Sequence, residues 1–409
     1  MNVTQSTIPC PDRRPPRSRP ITALWITDGY PSNNSPVEGV FHQSQAEALA
    51  ALGVKVQVCA PVAWIPKFLT RLVPRWSRHV GYPLRYERRG VEVLRPRIFS
   101  YPRDILHGFP HLFTSMALQR SSLPRPDLIH AHFAYPGGLT ARKLSREIGV
   151  PYVLTLHGSD VHSYPLINGR CRERFLLAVE GASSVFAVGD ALASTARDVS
   201  GIRPRVLPVG IPLNRFNNLP DRAEARRRLK ISENAYVVLY VGRLIPTKGV
   251  NELLDAFRMD LPAEVLGLIV GAGPLHEAAK SVGRVRAVGA VGNEQLPVYM
   301  AAADCFVLPS YREGLPTVLV EAGASGLPVI GARVDGIREL LDDGRGHLIE
   351  PRSASAIAEA VRWMMRQPAR AAEMACNLRR HVYEKYDAAR NAATLLEHYD
   401  AVLNSRHVR

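Results

Sequence analysis

The amino-acid sequence predicts an α/β fold in two domains. Short apolar runs with the length of strands alternate with amphipathic, helix-like segments along most of the 409 residues. This alternation is typical of parallel sheets that are covered by helices on both faces. About a dozen strands would make an unusually wide single sheet, and a segment rich in Pro and Asn at 208–220 interrupts the pattern near the middle of the chain. We therefore expect two sheets, one on each side of that segment.

The predicted strands are spread over both halves of the chain. In the N-terminal half they are Ile21–Thr27, Val54–Ala60, Asp127–Ala131, Tyr152–Leu156, Ser184–Val188 and Arg205–Val209. In the C-terminal half they are Ala235–Val241, Val265–Val270, Arg286–Val288, Cys305–Leu308 and Pro328–Ile330. The clearest helices are Phe41–Leu52, which ends before Gly53 as helices commonly do, then Arg222–Lys230, Val250–Arg258 and three closing segments, Ala354–Arg366, Ala369–Tyr386 and Ala388–Leu403. The predicted organisation is a disordered tail at 1–20, an N-terminal domain at 21–209, a C-terminal domain at 210–387 and a last helix at 388–409.

The composition excludes several protein classes. Apolar residues form 46% of the chain and charged residues 22%, which is typical of globular proteins and not of collagen-like, coiled-coil or disordered ones. The longest apolar runs are far below the ~20 residues of a membrane-spanning helix. The polar first twenty residues and five scattered cysteines lead us to expect a cytoplasmic protein with reduced thiols and no secretory signal. The net charge of +15 favours nucleic acid, acidic lipids or phosphorylated small molecules as ligands, without choosing among them.

The positive charge is concentrated between Trp64 and His107, where ten Lys or Arg outnumber three Asp or Glu. Within this region, residues 64–79 interleave apolar and basic side chains, and the apolar ones fit one face of a helix that Pro74 interrupts. The basic members are Lys67, Arg71, Arg75 and Arg78. A basic amphipathic helix with tryptophan can lie in the interface of an anionic membrane. The alternative is a surface helix whose apolar face packs on the sheet.

Two glutamates follow the predicted strand Cys305–Leu308. Glu313 falls in the loop, and Glu321 falls inside a helix that is expected to begin near Pro316, because proline suits a first helical position. Open α/β sheets bind ligands at the carboxyl ends of their strands, where two carboxylates could accept hydrogen bonds from neighbouring sugar hydroxyls. The alternative is that Glu313 only complements the helix N-terminus and Glu321 is a solvated helix residue.

Two cations follow the first predicted strand of the C-terminal half. Arg243 and Lys248 lie on the loop before the helix Val250–Arg258, at the sheet edge where Glu313 is expected. Two cations there can neutralise a diphosphate leaving group, although they could also be ordinary surface charges. The loop lacks the Gly-x4-Gly-Lys-Ser/Thr pattern of a Walker motif. Residues 271–274 form an incomplete dinucleotide fingerprint in which Pro274 is expected to start a helix.

Together and in this order, the motifs resemble the retaining glycosyltransferases of family 4. Gly242-Arg243 is followed by Lys248-Gly249, and Glu313 and Glu321 have that family's E-x7-E spacing. Further matches are Ala303-Asp304, Gly326–Val329, Gly336-Ile337 and Gly346–Pro351. The resemblance extends from about Thr22 to Tyr399. The family has the GT-B architecture, in which two facing Rossmann-like domains enclose the active site and the final helices cross back to the N-terminal domain.

The resemblance implies a role for each matching residue of the C-terminal half. Arg243 and Lys248 would bind the donor diphosphate. Glu321 would hold the ribose hydroxyls, and Glu313 would bind the transferred sugar and stabilise the cationic transition state. The backbone of Leu315, Pro316 and Thr317 would contact phosphate and sugar. Val291 would lie beside the base. The family generally needs no bound metal, and this sequence has no Asp-x-Asp motif, so we expect neither a metal nor another cofactor.

The N-terminal half would supply the acceptor side. The segment Ser35–Gly39 resembles the family's glycine loop without its double glycine, and Gly39 would let the backbone approach the diphosphate closely. His157 would sit beside the reacting face of the sugar, although a histidine at a strand end can equally be structural. Asp160 is expected to orient the acceptor. His130 and His132 share one face of a strand, but no third ligand is evident in the sequence, so we expect them to be structural or to line the cleft.

The resemblance therefore implies transfer, with retention, of a hexose-type sugar from a nucleoside-diphosphate sugar to a glycan or glycolipid acceptor. The basic surface would suit a lipid-linked or polysaccharide-precursor acceptor at the inner face of the cell membrane. One open alternative is another enzyme of the same architecture, such as a nucleotide-sugar epimerase or a phosphorylase. The other is a peripheral membrane-binding protein with a vestigial donor site. Nucleic-acid binding is not expected, because no recognised motif or stacking platform accompanies the charge.

Overall fold

The fold is an α/β structure with two large sheets. A computed structural model describes residues 19–33, 35, 38–66, 81–98, 110–121 and 123–405. The described strands form an eight-stranded sheet in the N-terminal half, a six-stranded sheet in the C-terminal half and a separate two-stranded sheet. The two-sheet architecture predicted from the alternation of strands and helices is thereby confirmed. None of the described helices has the length and apolar character needed to cross a bilayer.

The inner strands of the larger sheet are largely buried. Its members are β1 (Thr22–Ile26), β2 (Lys55–Cys59), β4 (Arg85–Arg88), β5 (Val91–Leu94), β7 (Leu128–His132), β8 (Tyr152–Leu156), β9 (Ser184–Ala187) and β10 (Arg205–Val206). Their order across the sheet is β10-β9-β8-β7-β1-β2-β5-β4. The short strands β3 (Val62–Ala63) and β6 (Arg97–Ile98) pair with each other outside this sheet.

The sequence predicted parallel sheets, but the pairing at one edge of this sheet is antiparallel. β4 pairs with β5 in the antiparallel direction, and the sequence pattern had predicted neither strand. The two form a hairpin whose turn places Arg89 and Gly90 at positive φ. In β4 the exposed residues Arg85 and Glu87 alternate with half-buried residues. A segment this polar lacks the apolar pattern from which a buried strand is predicted. Charged residues are typical of edge strands, because they discourage pairing with another chain.

The six-stranded sheet of the C-terminal half is parallel throughout. Its strands are β11 (Tyr236–Val241), β12 (Val265–Val270), β13 (Val285–Gly289), β14 (Cys305–Leu308), β15 (Val329–Ala332) and β16 (His347–Ile349). Their order is β13-β12-β11-β14-β15-β16. The last strand, β16, was not predicted from the sequence. The longest apolar strands, β11 and β12, lie side by side in the middle of the core.

Helices cover the faces of both sheets. In the N-terminal half they are α1 (Val40–Ala51), α2 (Pro110–Gln119), α3 (Leu139–Ile148), α4 (Ser159–His162), α5 (Gly169–Glu180) and α6 (Asp190–Ser200). In the C-terminal half they are α7 (Arg222–Leu229), α8 (Val250–Arg258), α9 (His276–Lys280), α10 (Leu296–Ala302), α11 (Thr317–Ala324), α12 (Asp335–Leu341), α13 (Ala354–Arg366), α14 (Pro368–Lys385) and α15 (Ala388–Asn404). A five-residue π-helical turn, Ala134–Gly138, joins β7 to α3.

The last helix returns to the N-terminal sheet, where it packs beside α1. The backbone of Ile211 and that of Ala388 hydrogen-bond where the chain leaves one sheet and returns toward it. From α15, the buried Tyr399 hydroxyl accepts a hydrogen bond from the indole of Trp25 on β1 at 3.1 Å and lies 2.6 Å from Nδ1 of His130 on β7. Because buried polar groups without partners are costly, this network fixes where the last helix sits.

The amphipathic stretch at 64–79 falls mostly outside the described residues, as do the tail at 1–18 and the terminus at 406–409. Of that stretch the structure describes Trp64, Ile65 and Pro66, and Trp64 is 47% exposed. The membrane hypothesis for this stretch therefore stays a prediction.

Candidate active site

A cavity of about 1110 Å³ lies between the two sheets. Its walls are the segments that follow the carboxyl ends of the strands: Asp28 after β1, Phe133 after β7, His157 after β8, the backbone around Arg243 after β11 and Val291 after β13. The carboxyl ends of the strands of both sheets thus face one cavity. Open α/β sheets bind ligands at this edge.

The two predicted cations and one predicted glutamate meet at the C-terminal wall of this cavity. Nζ of Lys248 donates to Oε1 of Glu313 at 2.5 Å, and both side chains are largely shielded from solvent. Lys248 ends a short 3₁₀ turn, Pro246–Lys248, that leads into α8. Arg243 lines the same cavity and is exposed, while the Tyr240 hydroxyl donates to its backbone carbonyl at 3.0 Å. The wall therefore offers cationic groups for an anion and a carboxylate beside them.

The loop before α11 brings the two halves of the chain together. Gly314 lies so close to β8 that a Cβ atom built on it would be 2.2 Å from the carbonyl oxygen of His157. Any other residue at 314 would push the walls apart, so glycine is required by this close approach. The next three residues, Leu315, Pro316 and Thr317, line the cavity at the first turn of α11, where backbone N–H groups favour an anion.

Glu321 lies one turn further along α11 and is buried at the edge of the cavity. Burial raises the pKa of its carboxyl to about 7, and the guanidinium of Arg215, 3.9 Å away, opposes that rise. The carboxyl group is therefore expected to change charge near neutral pH. An ionised carboxylate accepts hydrogen bonds from two hydroxyls more strongly than a neutral acid.

We predict that nucleotide affinity depends on the ionisation of Glu321. The raised pKa means that the group is mostly neutral below about pH 7 and charged above it, so affinity should increase as pH rises from 6 to 8. Titration calorimetry of wild type against Glu321→Gln measures this, because the variant keeps the shape but cannot ionise. Glu321→Ala should weaken nucleotide binding at every pH. An identical pH profile for wild type and Glu321→Gln would contradict the prediction.

Three histidines from different elements meet on the N-terminal wall. His157 lines the cavity, and its Nε2 lies 3.0 Å from Nδ1 of His132 on β7. His42 on α1 completes the group, with one ring nitrogen from each residue within 4.8 Å of the others. No third ligand beside His132 was evident in the sequence, and folding brings His42 and His157 to it. Burial lowers the pKa of all three imidazoles, so they are neutral at pH 7.

The histidine group has the donor set for a transition-metal ion. It also has a packing role. Nδ1 of His42 lies 3.1 Å from the carbonyl oxygen of Gly29, the ring of His132 packs against Trp25, and the ring of His157 packs against Phe133. His130 is not part of the group. It is buried between the Tyr399 hydroxyl and the Thr155 hydroxyl, 2.6 and 2.7 Å from its two ring nitrogens, which fits the structural role expected for it.

The structure corrects the expected role of Asp160. Its side chain is buried and does not line the cavity. Instead its carboxylate accepts hydrogen bonds from the backbone amides of Ala134, His157 and Gly158, at 3.0, 3.1 and 2.9 Å. Asp160 therefore holds the loop that carries His157, and it is not placed to contact an acceptor directly.

The structure gives a packing reason for glycine at position 39, which could not be inferred from the sequence. It precedes α1 with a φ of 67°, and a Cβ atom there would lie 2.3 Å from the carbonyl oxygen of Gly29. The cavity is lined by its neighbours Glu38 and Val40. Close packing against the loop after β1 thus explains Gly39, and its predicted approach to a diphosphate stays a prediction.

The N-terminal wall contains two carboxylates that were not identified from the sequence. Asp28 and Glu38 both line the cavity. Burial, with a further contribution from the charge of Glu38, raises the pKa of Asp28 to about 6. Arg95, which is fully buried, lies 3.4 Å from Glu38, and the Tyr82 hydroxyl donates to Glu38 at 3.1 Å. The position of Asp28 directly after a strand was the signal that could have identified it.

The comparisons with known proteins agree with this arrangement. Residues 40–215 match the family model described as Glycosyltransferase Family 4, and residues 221–381 match the model described as Glycosyl transferases group 1. The chain is 39% identical over 386 residues to the Bacillus subtilis protein TuaC, named as a teichuronic acid biosynthesis glycosyltransferase, and the match covers 93% of this chain and 98% of that protein. The chain belongs to glycosyltransferase family 4. It is also 33% identical over 304 residues, 66% of each chain, to a D-inositol 3-phosphate glycosyltransferase of Geodermatophilus obscurus.

Solved structures assign this family 4 chain the GT-B architecture. Sucrose-phosphate synthase from Thermosynechococcus elongatus superposes with a TM-score of 0.77 at 22% identity, over 94% of this chain and all of that one. Anabaena HepE in complex with UDP and glucose superposes with a TM-score of 0.70 at 21% identity, over 93% of this chain and all of that one. The expectation of two facing α/β domains with a C-terminal helical segment is confirmed.

Proposed function

We propose that this glycosyltransferase moves a hexose-type sugar, with retention of configuration, from a nucleoside-diphosphate sugar to a hydroxyl of a lipid-linked or polysaccharide-precursor acceptor. The observation that carries the proposal is the pair Lys248–Glu313 beside Arg243 on one wall of the interdomain cavity. The name of one relative supports a polysaccharide-precursor acceptor, because it concerns teichuronic acid biosynthesis. A UDP-linked hexose is the first donor to test, since HepE was solved with UDP-glucose.

The proposed reaction assigns a task to each wall. Arg243 and Lys248 neutralise the diphosphate as it leaves. Glu313, next to the Lys248 ammonium, accepts hydrogen bonds from the transferred sugar and stabilises the positive charge that develops on its ring. The leaving phosphate oxygen takes the proton of the acceptor hydroxyl on the same face of the sugar, so no covalent sugar–enzyme intermediate forms. His157 borders the sugar from the N-terminal wall, and Asp160 holds its loop.

A thermal-shift panel of nucleotide sugars tests donor binding and base choice together. A ligand that binds only the folded protein raises its melting temperature in proportion to the logarithm of its concentration over Kd. We expect one base to stabilise the chain clearly more than the others, and the free nucleoside diphosphate to retain much of that effect. No stabilisation by any member of the panel would contradict the proposed donor class. Donor conversion in the absence of acceptor would instead indicate an epimerase.

Activity is expected to survive removal of divalent metals. The cations of the protein neutralise the diphosphate in this proposal, so EDTA should leave turnover unchanged to within about twofold. Loss of turnover in EDTA, restored by magnesium or manganese, would show that metal takes part in diphosphate binding. If zinc alone restored turnover, and failed to do so in the His42→Ala variant, the metal would be assigned to the three-histidine group.

We further propose that the enzyme acts in the cytoplasm, at the anionic inner face of the membrane, through residues 64–79. Each Lys or Arg near an anionic surface contributes about 1 kcal/mol, and salt screens the attraction. Wild type should sediment with anionic liposomes at low salt and be released as salt increases. Replacing Lys67, Arg71, Arg75 and Arg78 with Gln should prevent sedimentation without lowering the melting temperature. If wild type ignores anionic liposomes, the membrane proposal fails and the transferase proposal is unaffected.

A further inference from the structure

A second cavity, of about 590 Å³, opens on the N-terminal half between α2, α3 and α5. It shares no lining residue with the interdomain cavity, but only the turn Ala134–Gly138 separates the two along the chain. Phe133, just before that turn, lines the interdomain cavity, and Leu139, just after it, lines the second one. We call this second cavity the α3–α5 groove.

The α3–α5 groove carries an unbalanced positive charge. Two carboxylates, Glu147 and Glu173, share it with five cationic side chains: Arg142, Lys143, Arg146, Arg170 and Arg174. Glu147 already pairs with Lys143 and accepts further hydrogen bonds from Ser115 at 3.1 Å and Gln119 at 2.5 Å. Among the described residues that line the groove, positive side chains outnumber carboxylates, so the groove has a net positive charge that attracts anions.

The buried polar atoms of the groove show the same imbalance. Nδ1 of His111 and Nε of Arg142 are buried and have no hydrogen-bond partner among the described residues. Burial, with a further contribution from the positive charges of Arg174 and Lys143, lowers the pKa of His111 to about 4. The positive potential thus reaches the wall of the groove. Nε of Arg142 is an unpaired buried donor, and such donors are costly.

We propose that the α3–α5 groove binds a phosphorylated group, of the kind that a lipid-linked acceptor carries next to its sugar. Arginine is suited to this because its planar guanidinium donates two parallel hydrogen bonds to phosphate oxygens. The proposal rests on the proposed function, since it places the sugar of the acceptor in the interdomain cavity and its phosphate beyond the Ala134–Gly138 turn. It makes the groove a determinant of acceptor choice.

The test measures binding without turnover, in the full chain. Arg243→Ala and Lys248→Ala are introduced first, so that the diphosphate site of the interdomain cavity does not contribute. Titration calorimetry then compares farnesyl diphosphate with farnesol, which lacks the phosphates. The groove variant adds Arg146→Gln and Arg170→Gln, both exposed positions. The matched control adds Arg120→Gln and Arg172→Gln, which remove the same charge from exposed positions outside the groove.

We expect farnesyl diphosphate to bind, farnesol not to bind, and the groove variant to lose about tenfold or more in affinity while the control keeps it. Arg146→Lys with Arg170→Lys retains the charge and should keep most of the affinity, which separates charge from folding. Inorganic pyrophosphate, and vesicles of phosphatidylcholine with and without phosphatidic acid, distinguish a soluble diphosphate from a membrane headgroup. Dependence on the groove in either arm supports the proposal. The proposal is overturned if the groove variant and the control bind every probe equally, or if no probe binds. Either result is independent of the outcome for sugar transfer.

Discussion

Replacing Glu313 with glutamine is expected to lower turnover about a hundredfold, within the range of losses seen when one electrostatic contact to a transition state is removed. Glutamine keeps the shape and the oxygen that accepts from Lys248, but it removes the negative charge beside the developing cation. Affinity for free nucleoside diphosphate should change little, because that ligand has no sugar ring to contact Glu313. Steady-state kinetics and calorimetry of the same preparation separate the two effects.

The matched control for this prediction is Glu252→Gln. Glu252 accepts a hydrogen bond from the Tyr311 hydroxyl at 2.6 Å and does not line the cavity. Its replacement removes the same charge from the same half of the protein and should leave turnover nearly unchanged. If Glu313→Gln instead weakens free diphosphate and Glu321→Ala lowers turnover alone, the roles assigned to the two glutamates are exchanged.

Replacing both Arg243 and Lys248 with alanine is expected to abolish stabilisation by nucleoside diphosphate. Both side chains carry a positive charge on the wall where the diphosphate is proposed to lie. Removing Lys248 also leaves the Glu313 carboxylate without its ion-pair partner, so repulsion adds to the lost attraction. Thermal shift at saturating diphosphate measures the effect directly.

The control for the double variant is Arg258→Ala with Lys280→Ala, two exposed cations of the same half that lie outside the cavity. This pair carries the same charge change and should respond to diphosphate as wild type does. Undiminished stabilisation of the Arg243/Lys248 variant would refute the assignment of the diphosphate site.

The sequence predicted which residues of the C-terminal half line the cavity, because these residues follow neighbouring strands of one sheet. Arg243 and Lys248 lie on one loop, and Glu313 and Glu321 lie on one loop and helix, so strand-to-helix order alone places all four at the same sheet edge. The structure brings these four into one cavity, as expected. The hydrogen bond between Lys248 and Glu313 joins residues 65 positions apart, and its close geometry was not predictable from spacing.

The N-terminal wall was predicted less well, because its contacts depend on packing between distant segments. His42, His132 and His157 come from three elements, so their proximity has no sequence signature. Asp160 looks like a ligand-binding carboxylate in sequence, yet it accepts hydrogen bonds from the backbone amides of its own loop and, from a distant segment, of Ala134. The edge strand β4 was not predicted, because its exposed charged residues leave it without an apolar pattern.

The most direct test of the central claim, sugar transfer with retention, is real-time proton NMR with the donor that the thermal-shift panel selects. Where no acceptor is yet known, slow transfer to water serves the same purpose. For an α-linked donor such as UDP-glucose, we predict that the sugar appears first as the α anomer and converts to the β anomer only later, by mutarotation. The Glu313→Gln variant should slow its appearance. Release of the β anomer first would contradict the account, because it would show inversion at the reacting carbon.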